Sequence, residues 1–291
     1  MNETYKLFSH RGPEPEKKVL YLVGTPIGNL KDITERAKNI LTNVSLIACE
    51  DTRKTSQLLR NLKITNKLIS FHKHNSYKKV EYLISKLEAG ESIALVSDAG
   101  MPSISDPGEI LVRKAREVNL EIICIPGPCA AINALVSSGL DSSRFMFFGF
   151  IPKSSFERKI VLKEICESKF TCIIYESPKR IIKLLRDLKI LCGGERKLVI
   201  SKEITKRYEQ HFGNNIDEVL NTLNNLDLKG EFTLVISGNN NVTTNSTTNE
   251  VLRDDLLTLI KAGLSHSAAS SYLSKKFGRT KNEIYNLIIR D

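Results

Sequence analysis

The stretch ALVSDAGMPSISDPGEILV, residues 94–112, changes character twice within a short span. Its start, with Ile93 to Val96, is an apolar run that reads as a strand buried on both faces. Its end opens GEILVRKAREVN, an amphipathic helical pattern. Between them, residues 97–108 hold two aspartates, two glycines and two prolines. Ordinary strand-to-helix connections take about two to six residues. Proline fixes φ, glycine supplies positive φ and aspartate closes local turns, so the loop is either a tight surface turn or a ligand-holding one.

The same alternation runs outward in both directions. Strand patterns at 18–24, 45–50, 67–72, 92–98 and 121–128 alternate with helical ones, each strand near-continuously apolar. That predicts an α/β fold with a mainly parallel sheet and helices on both faces. Ligands in such sheets sit beyond the carboxyl ends of the strands. The loops there are TPIGN (25–29), EDTRKT (50–55), HKHN (72–75), residues 97–108 and PGPCAA (126–131), all rich in Gly, Pro or polar side chains.

The organisation expected is a polar leader (1–17), a first α/β domain (18–128) and a second (129–238). A polar, low-complexity linker (239–250) then precedes a helical domain (251–291). The second domain reads as helix 130–139, strand 144–150, helix to about 168, strand 170–177, helix 178–190 and strands 197–204 and 231–238. The last domain resembles a helix-turn-helix, with Gly278 in the turn and Arg279 and Lys281 opening the next helix.

Among 291 residues, 41% are hydrophobic and 26% charged, enough for a sizeable core. No apolar run approaches the roughly 18–20 residues of a membrane helix, and the N-terminus lacks the apolar stretch of a secretory signal. A cytoplasmic protein is expected. Cys49, Cys124 and Cys172 lie in strand-like runs and read as buried structural thiols, and no Cys/His cluster has zinc spacing. The net charge of +10 favours a polyanionic partner such as nucleic acid.

Residue chemistry narrows the candidates. Backbone amides at Ala99 and Gly100 can approach a nucleoside or amino-acid ligand where a side chain would obstruct it. In EDTRKT, Glu50 or Asp51 can order a hydroxyl or take its proton, and Arg53 can fork onto a phosphate. The alternative for Asp51 or Thr52 is capping of the next helix. His72, His74 and Asn75 fit RNA contact better than metal, for which no further ligand lies nearby, so no metal is expected. Lys153, Arg158, Arg279 and Lys281 are candidate phosphate contacts.

Taken together, LYLVGTPIGNLKDIT, LIACEDTRKT, ALVSDAGMPSISDPGE, IPGPCAAINAL, FFGFIPK and YESPKR resemble the tetrapyrrole methylase superfamily. Within it the text is most similar to the bacterial branch that 2′-O-methylates a cytidine of small-subunit (16S) ribosomal RNA. The resemblance runs from about Val19 to Gly238. It implies a two-domain methylase that binds S-adenosylmethionine in the interdomain cleft and works as a homodimer. By motif position the cofactor would meet Ser97, Asp98, Ala99, Gly100, Ile104, Ser105, Pro126, Ala130, Ala131 and Tyr175. Met101 and Ser105 depart from the Thr and Asn that the pattern leads one to expect. For the transfer step, Asp51 or Glu50 is the candidate base, Arg53 the phosphate partner and Glu203 a second candidate base. The alternatives are a related methylase acting on a small molecule and a non-catalytic RNA-binding protein.

Overall fold

The computed structural model describes residues 13–72, 76–226, 228–239, 249–277 and 279–288. His74, Asn75, Gly278 and most of the 239–250 segment lie outside the described residues. The chain divides into two compact units, one running to Cys166 and resuming at Phe170–Ser237, the other comprising Glu167–Lys169 and Gly238–Asp291.

The first unit contains two five-stranded sheets. The first sheet is built from β1 (Val19–Val23), β2 (Leu46–Cys49), β3 (Leu68–Ser70), β4 (Ile93–Val96) and β5 (Glu121–Ile125). Its order is β3-β2-β4-β1-β5 and every pairing is parallel. β2 and β4 are buried along their whole length, as their unbroken apolar text requires. The crossover helices are α1 (Glu35–Asn43), α2 (Thr52–Asn61), α3 (Ser76–Glu88) and α4 (Gly108–Glu117). Tyr21, Ile47 and Val96 pack with α1 and α2 residues on one face, and Leu20, Ala48 and Leu95 pack with α3 and α4 residues on the other. β5 is an edge strand, so its residues alternate, and Cys124 is exposed rather than buried. Cys49 and Cys172 are buried thiols as expected.

The second sheet is mixed, unlike the first, whose parallel pairing is the arrangement expected of the strands in 18–128. It comprises β6 (Phe145–Phe150), β7 (Thr171–Glu176), β8 (Leu198–Lys202), β9 (Gln210–Phe212) and β10 (Phe232–Ile236), in the order β6-β7-β10-β8-β9. Only β6 and β7 run parallel; β10 is antiparallel to both β7 and β8, and β8 to β9. An apolar strand between two helical layers is buried on both faces whichever way it runs, so burial does not encode direction. One face carries α6 (Ser155–Glu167), α7 (Pro178–Cys192) and α8 (Ile216–Asn224), and the other carries α5 (Ala130–Ser138). β9 and α8 were not expected from the sequence.

The second unit holds α9 (Asn249–Lys261), α10 (His266–Phe277) and α11 (Lys281–Tyr285). Leu256, Ala269, Leu273 and Ile284 form its core. Thr280 and Glu283 make a reciprocal capping box at the start of α11.

Arg158 is only 8% exposed, and its Nε and Nη2 both donate to Asp187 Oδ2 at 3.1 and 2.9 Å. This ion pair ties α6 to α7, which takes Arg158 away from the phosphate contact expected of it. Asp187→Ala leaves a buried guanidinium unpaired and should lower stability by about 3 kcal/mol, with Arg158→Met/Asp187→Leu recovering most of the loss. Urea midpoints of the three proteins check this.

Candidate active site

The loops that follow the first sheet's strands meet the second sheet around a cavity of about 370 Å³. Three close contacts shape it. Thr25 and Gly100 exchange hydrogen bonds, N–H to carbonyl in each direction, at 2.9 and 3.0 Å. Gly24 and Gly127 approach so closely that a Cβ on either would lie 2.7 Å from the other's Cα. Gly149, at φ +59° in the bulge of β6, leaves room for Ser105, whose Oγ would stand 2.8 Å from an added Cβ.

The 97–108 loop therefore owes its composition to folding as much as to any ligand. Gly100 adopts φ +82°, and Ser103 and Ser105 are left-handed at +70° and +63°. The Gly100 amide is engaged by Thr25, so it is not open to a ligand in the way the sequence reading supposed. Ser97 Oγ donates to the carbonyls of Ala99 and Gly100. The left-handed backbone at Ser105 explains why asparagine suits this position, since Asn tolerates that conformation better than serine. Met101 lies against Gly24, where a Cβ would come within 2.7 Å of its sulfur.

Of the residues expected to meet a cofactor, Ser97, Asp98, Ala99, Gly100, Ile104, Ser105, Ala130 and Tyr175 line the cavity. Pro126 and Ala131 do not. The Ala131 amide instead donates to Tyr175 Oη at 3.0 Å, holding the ring at the wall. Burial pushes the Tyr175 phenol up to about 12, so it stays neutral. Phe147 and Phe150 flank that ring, with centroids 5.0 and 5.6 Å away.

The polar lining is acidic, although the protein as a whole is basic. Glu50, Asp98, Asp106, Glu176 and Glu231 all line the cavity. Asp106 accepts from the Ser103 and Gly108 amides, yet its Oδ2 is buried with no hydrogen-bond partner. Glu176, 2% exposed, caps Ser177 N through Oε1, and its Oε2 sits 3.0 Å from Arg180. Among these groups Glu50 is half-buried and has no hydrogen-bond or ion-pair partner among the described residues. Burial raises its pKa, and the charges of Asp98 and Asp106 raise it further. Lys54, and after it His72, act in the opposite sense.

Asp51 behaves differently from its neighbour. Its carboxylate caps α2 through Arg53 N and grips the Arg53 guanidinium at 3.1 and 2.8 Å, which holds it well below the usual carboxylate range. It does not line the cavity. Arg53 itself is exposed. Asp98 fixes the same loop, accepting from Asp51 N at 3.1 Å and Lys54 Nζ at 2.7 Å.

Glu203 sits behind the cavity wall, at φ +54°. Burial works against its ionisation, but Lys206 Nζ and the Glu231 amide, both at 2.9 Å, keep its pKa below the ordinary value. Gly230 adopts φ +93°, which favours glycine, and a Cβ there would also fall 2.5 Å from the Glu203 carboxyl. Lys153 is exposed after β6. In the second unit, Arg279 donates to Asn249 and Lys281 to Ser267, at 2.7 and 2.8 Å.

Comparison with known proteins agrees with this architecture. The family described as Tetrapyrrole (Corrin/Porphyrin) Methylases matches residues 19–220. Curated relatives named Ribosomal RNA small subunit methyltransferase I include one from Synechocystis, 44% identical over 92% of this chain and 96% of its own. Others come from Vibrio cholerae (42%, 92% and 93%) and Escherichia coli O157:H7 (40%, 95% and 96%). Among solved structures, the cobalt precorrin-4 methyltransferase of cobalamin biosynthesis superposes with a TM-score of 0.56 at 14% identity, covering 76% of this chain and 95% of that one. A uroporphyrin-III-C-methyltransferase from Thermus thermophilus gives 0.52 at 16% identity, covering 76% and 94%. At such identities these two likenesses show the fold. The chain belongs to the tetrapyrrole (corrin/porphyrin) methylase family.

The raised pKa of Glu50 has a consequence for stability. A carboxyl held above its unfolded value costs nothing while protonated in both states, and destabilises the fold increasingly as pH rises through its folded pKa. Glu50→Gln should therefore gain melting temperature over the wild type as pH rises from about 4 to 7, with the largest gain at neutrality. A pH-independent difference would contradict the assignment.

Proposed function

We propose that this chain transfers a methyl group from S-adenosylmethionine to the ribose 2′-oxygen of a cytidine in small-subunit (16S) ribosomal RNA. The observation that carries the reading is the acidic cavity at the strand ends of a basic methylase-family protein. Asp98, Glu176 and Glu231 are paired with Lys54, Arg180 and Lys206, so a sulfonium or ammonium group would find its open carboxylate oxygen at Asp106, and the apolar walls at Ile104, Ala130 and Phe150 suit an adenosyl group. Bound there, S-adenosylmethionine supplies a methyl group already activated by positive charge.

The protein's remaining task is to align the acceptor and manage its proton. Alignment of acceptor against donor can be worth about 7 kcal/mol or more. Glu50 is the group we assign to the hydroxyl proton: it lines the cavity, has no competing partner, and burial makes it a stronger base than a solvated carboxylate. Asp51, satisfied by Arg53, serves to cap α2 and to hold that arginine near the rim, where it can meet a neighbouring phosphate. Glu203 braces the wall at Gly230 and Glu231.

The protein would act in the cytoplasm on the RNA, alone or within the small subunit, as a homodimer. Exposed apolar side chains such as Val136, Phe156 and Ile160 are the kind of surface that a second copy would cover. A small-molecule acceptor is disfavoured by the net charge of +10.

Turnover of site variants with small-subunit RNA separates the two carboxylates. Glu50→Gln should reduce transfer by about 10²- to 10⁴-fold while S-adenosylmethionine still binds. Asp51→Asn keeps a helix cap of equal rank and should lower it far less. The reverse ranking would move the base to Asp51.

A further inference from the structure

We propose that the outer face of α7 is a phosphate track that carries the substrate RNA strand away from the cavity mouth. This rests on the RNA-methylation reading above and names the surface on which the RNA would lie.

The helix begins at the cavity: Glu176, Ser177 and Pro178, which lead into it, are wall residues. Its inner face, Ile181, Leu184, Leu185 and Leu188, is completely buried. On the opposite face Lys179, Lys183 and Arg186 are exposed at intervals of four and three residues, so they fall in one stripe about 60° wide and about 10 Å long. None of the three forms an ion pair or hydrogen bond among the described residues. The other cations of α7 are committed elsewhere: Arg180 to Glu176 and the Ile151 carbonyl, and Lys189 to Asp217. The Arg180 bond also ties Ile151, at the start of the loop that carries the exposed Lys153, to the first turn of the helix.

Where the stripe meets the mouth, Phe150 lines the cavity yet is 58% exposed. An aromatic ring left open beside unpaired cations is the combination by which proteins hold single-stranded nucleic acid, with a base stacked on the ring and phosphates on the lysines. The cations expected to serve from sequence are less available: Arg158 is buried on Asp187, and Arg279 and Lys281 make hydrogen bonds within their own unit.

The test is RNA binding at several salt concentrations by the parent and by Lys179→Gln/Lys183→Gln/Arg186→Gln. Single-stranded contacts contribute about 0.7 each to the slope of log affinity against log salt, so the triple variant should lose about 2 from that slope and bind about tenfold or more weakly. Its affinity for S-adenosylmethionine should stay at the parent value, which also verifies folding. Arg60→Gln/Lys63→Gln/Lys67→Gln removes equal charge from exposed positions on the last turn of α2 and between α2 and β3, and should leave the slope unchanged. An unchanged slope in the α7 variant, or an equal loss in the control, overturns the track. A parent that binds RNA through α7 but transfers no methyl group would keep the track and reject the methylation reading. A parent that binds no RNA would reject both.

Discussion

The contact on which the site depends is the pair of backbone hydrogen bonds between Thr25 and Gly100. It joins the loop after β1 to the loop after β4 as a one-residue antiparallel bridge, although the strands themselves run parallel. Thr25 is fully buried, and its hydroxyl also approaches the carbonyls of Ser97 and Gly100 at 3.4 Å. A second tie, Gly24 against Gly127, requires the absence of two side chains. With both loops fixed, the 97–108 segment has little choice of path. Its left-handed residues turn it toward β6, where Gly149 accommodates Ser105.

Rigid loops let the cavity carry an electrostatic pattern opposed to that of the molecule. Five carboxylates line it while the chain carries a net charge of +10. Three of the five are balanced by cations, Asp98 by Lys54, Glu176 by Arg180 and Glu231 by Lys206, which leaves Glu50 and Asp106 as the carboxylates without an ion-pair partner among the described residues. Neighbouring residues differ by partner: Asp51, off the cavity wall, is paired with Arg53, whereas Glu50 lines the wall with no hydrogen-bond or ion-pair partner among the described residues.

Much of this was legible in the sequence because apolar runs and loop chemistry are local. The strands from KVLYLVG to EIICIPGP, the loops at their ends and the three tail helices are where periodicity and Gly/Pro punctuation place them. Strand direction in the second sheet was not legible, since FTLVI is equally apolar in either orientation. α8 was hidden by asparagine-rich text, although Ile216, Val219 and Leu223 keep helical spacing and Asn215 caps it. At the site, motif position located the cavity but could not tell which group faces it. Glu50 and Asp51 are adjacent, yet only one lines the wall; Glu176 and Phe150 became site residues only when the second sheet closed against the first. Arg158 looked like surface charge until α7 supplied Asp187. Side-chain partners from distant sequence decide such cases, and no local pattern carries them.

The most direct measurement is transfer of labelled methyl from S-adenosylmethionine to small ribosomal subunits that lack the modification, followed by nuclease digestion and mass spectrometry of the product. The account predicts label on the ribose of one cytidine of the small-subunit RNA, stable to base in the way a 2′-O-methylated linkage is. Label on a base, on a small molecule, or absent from RNA while S-adenosylmethionine is bound would contradict it.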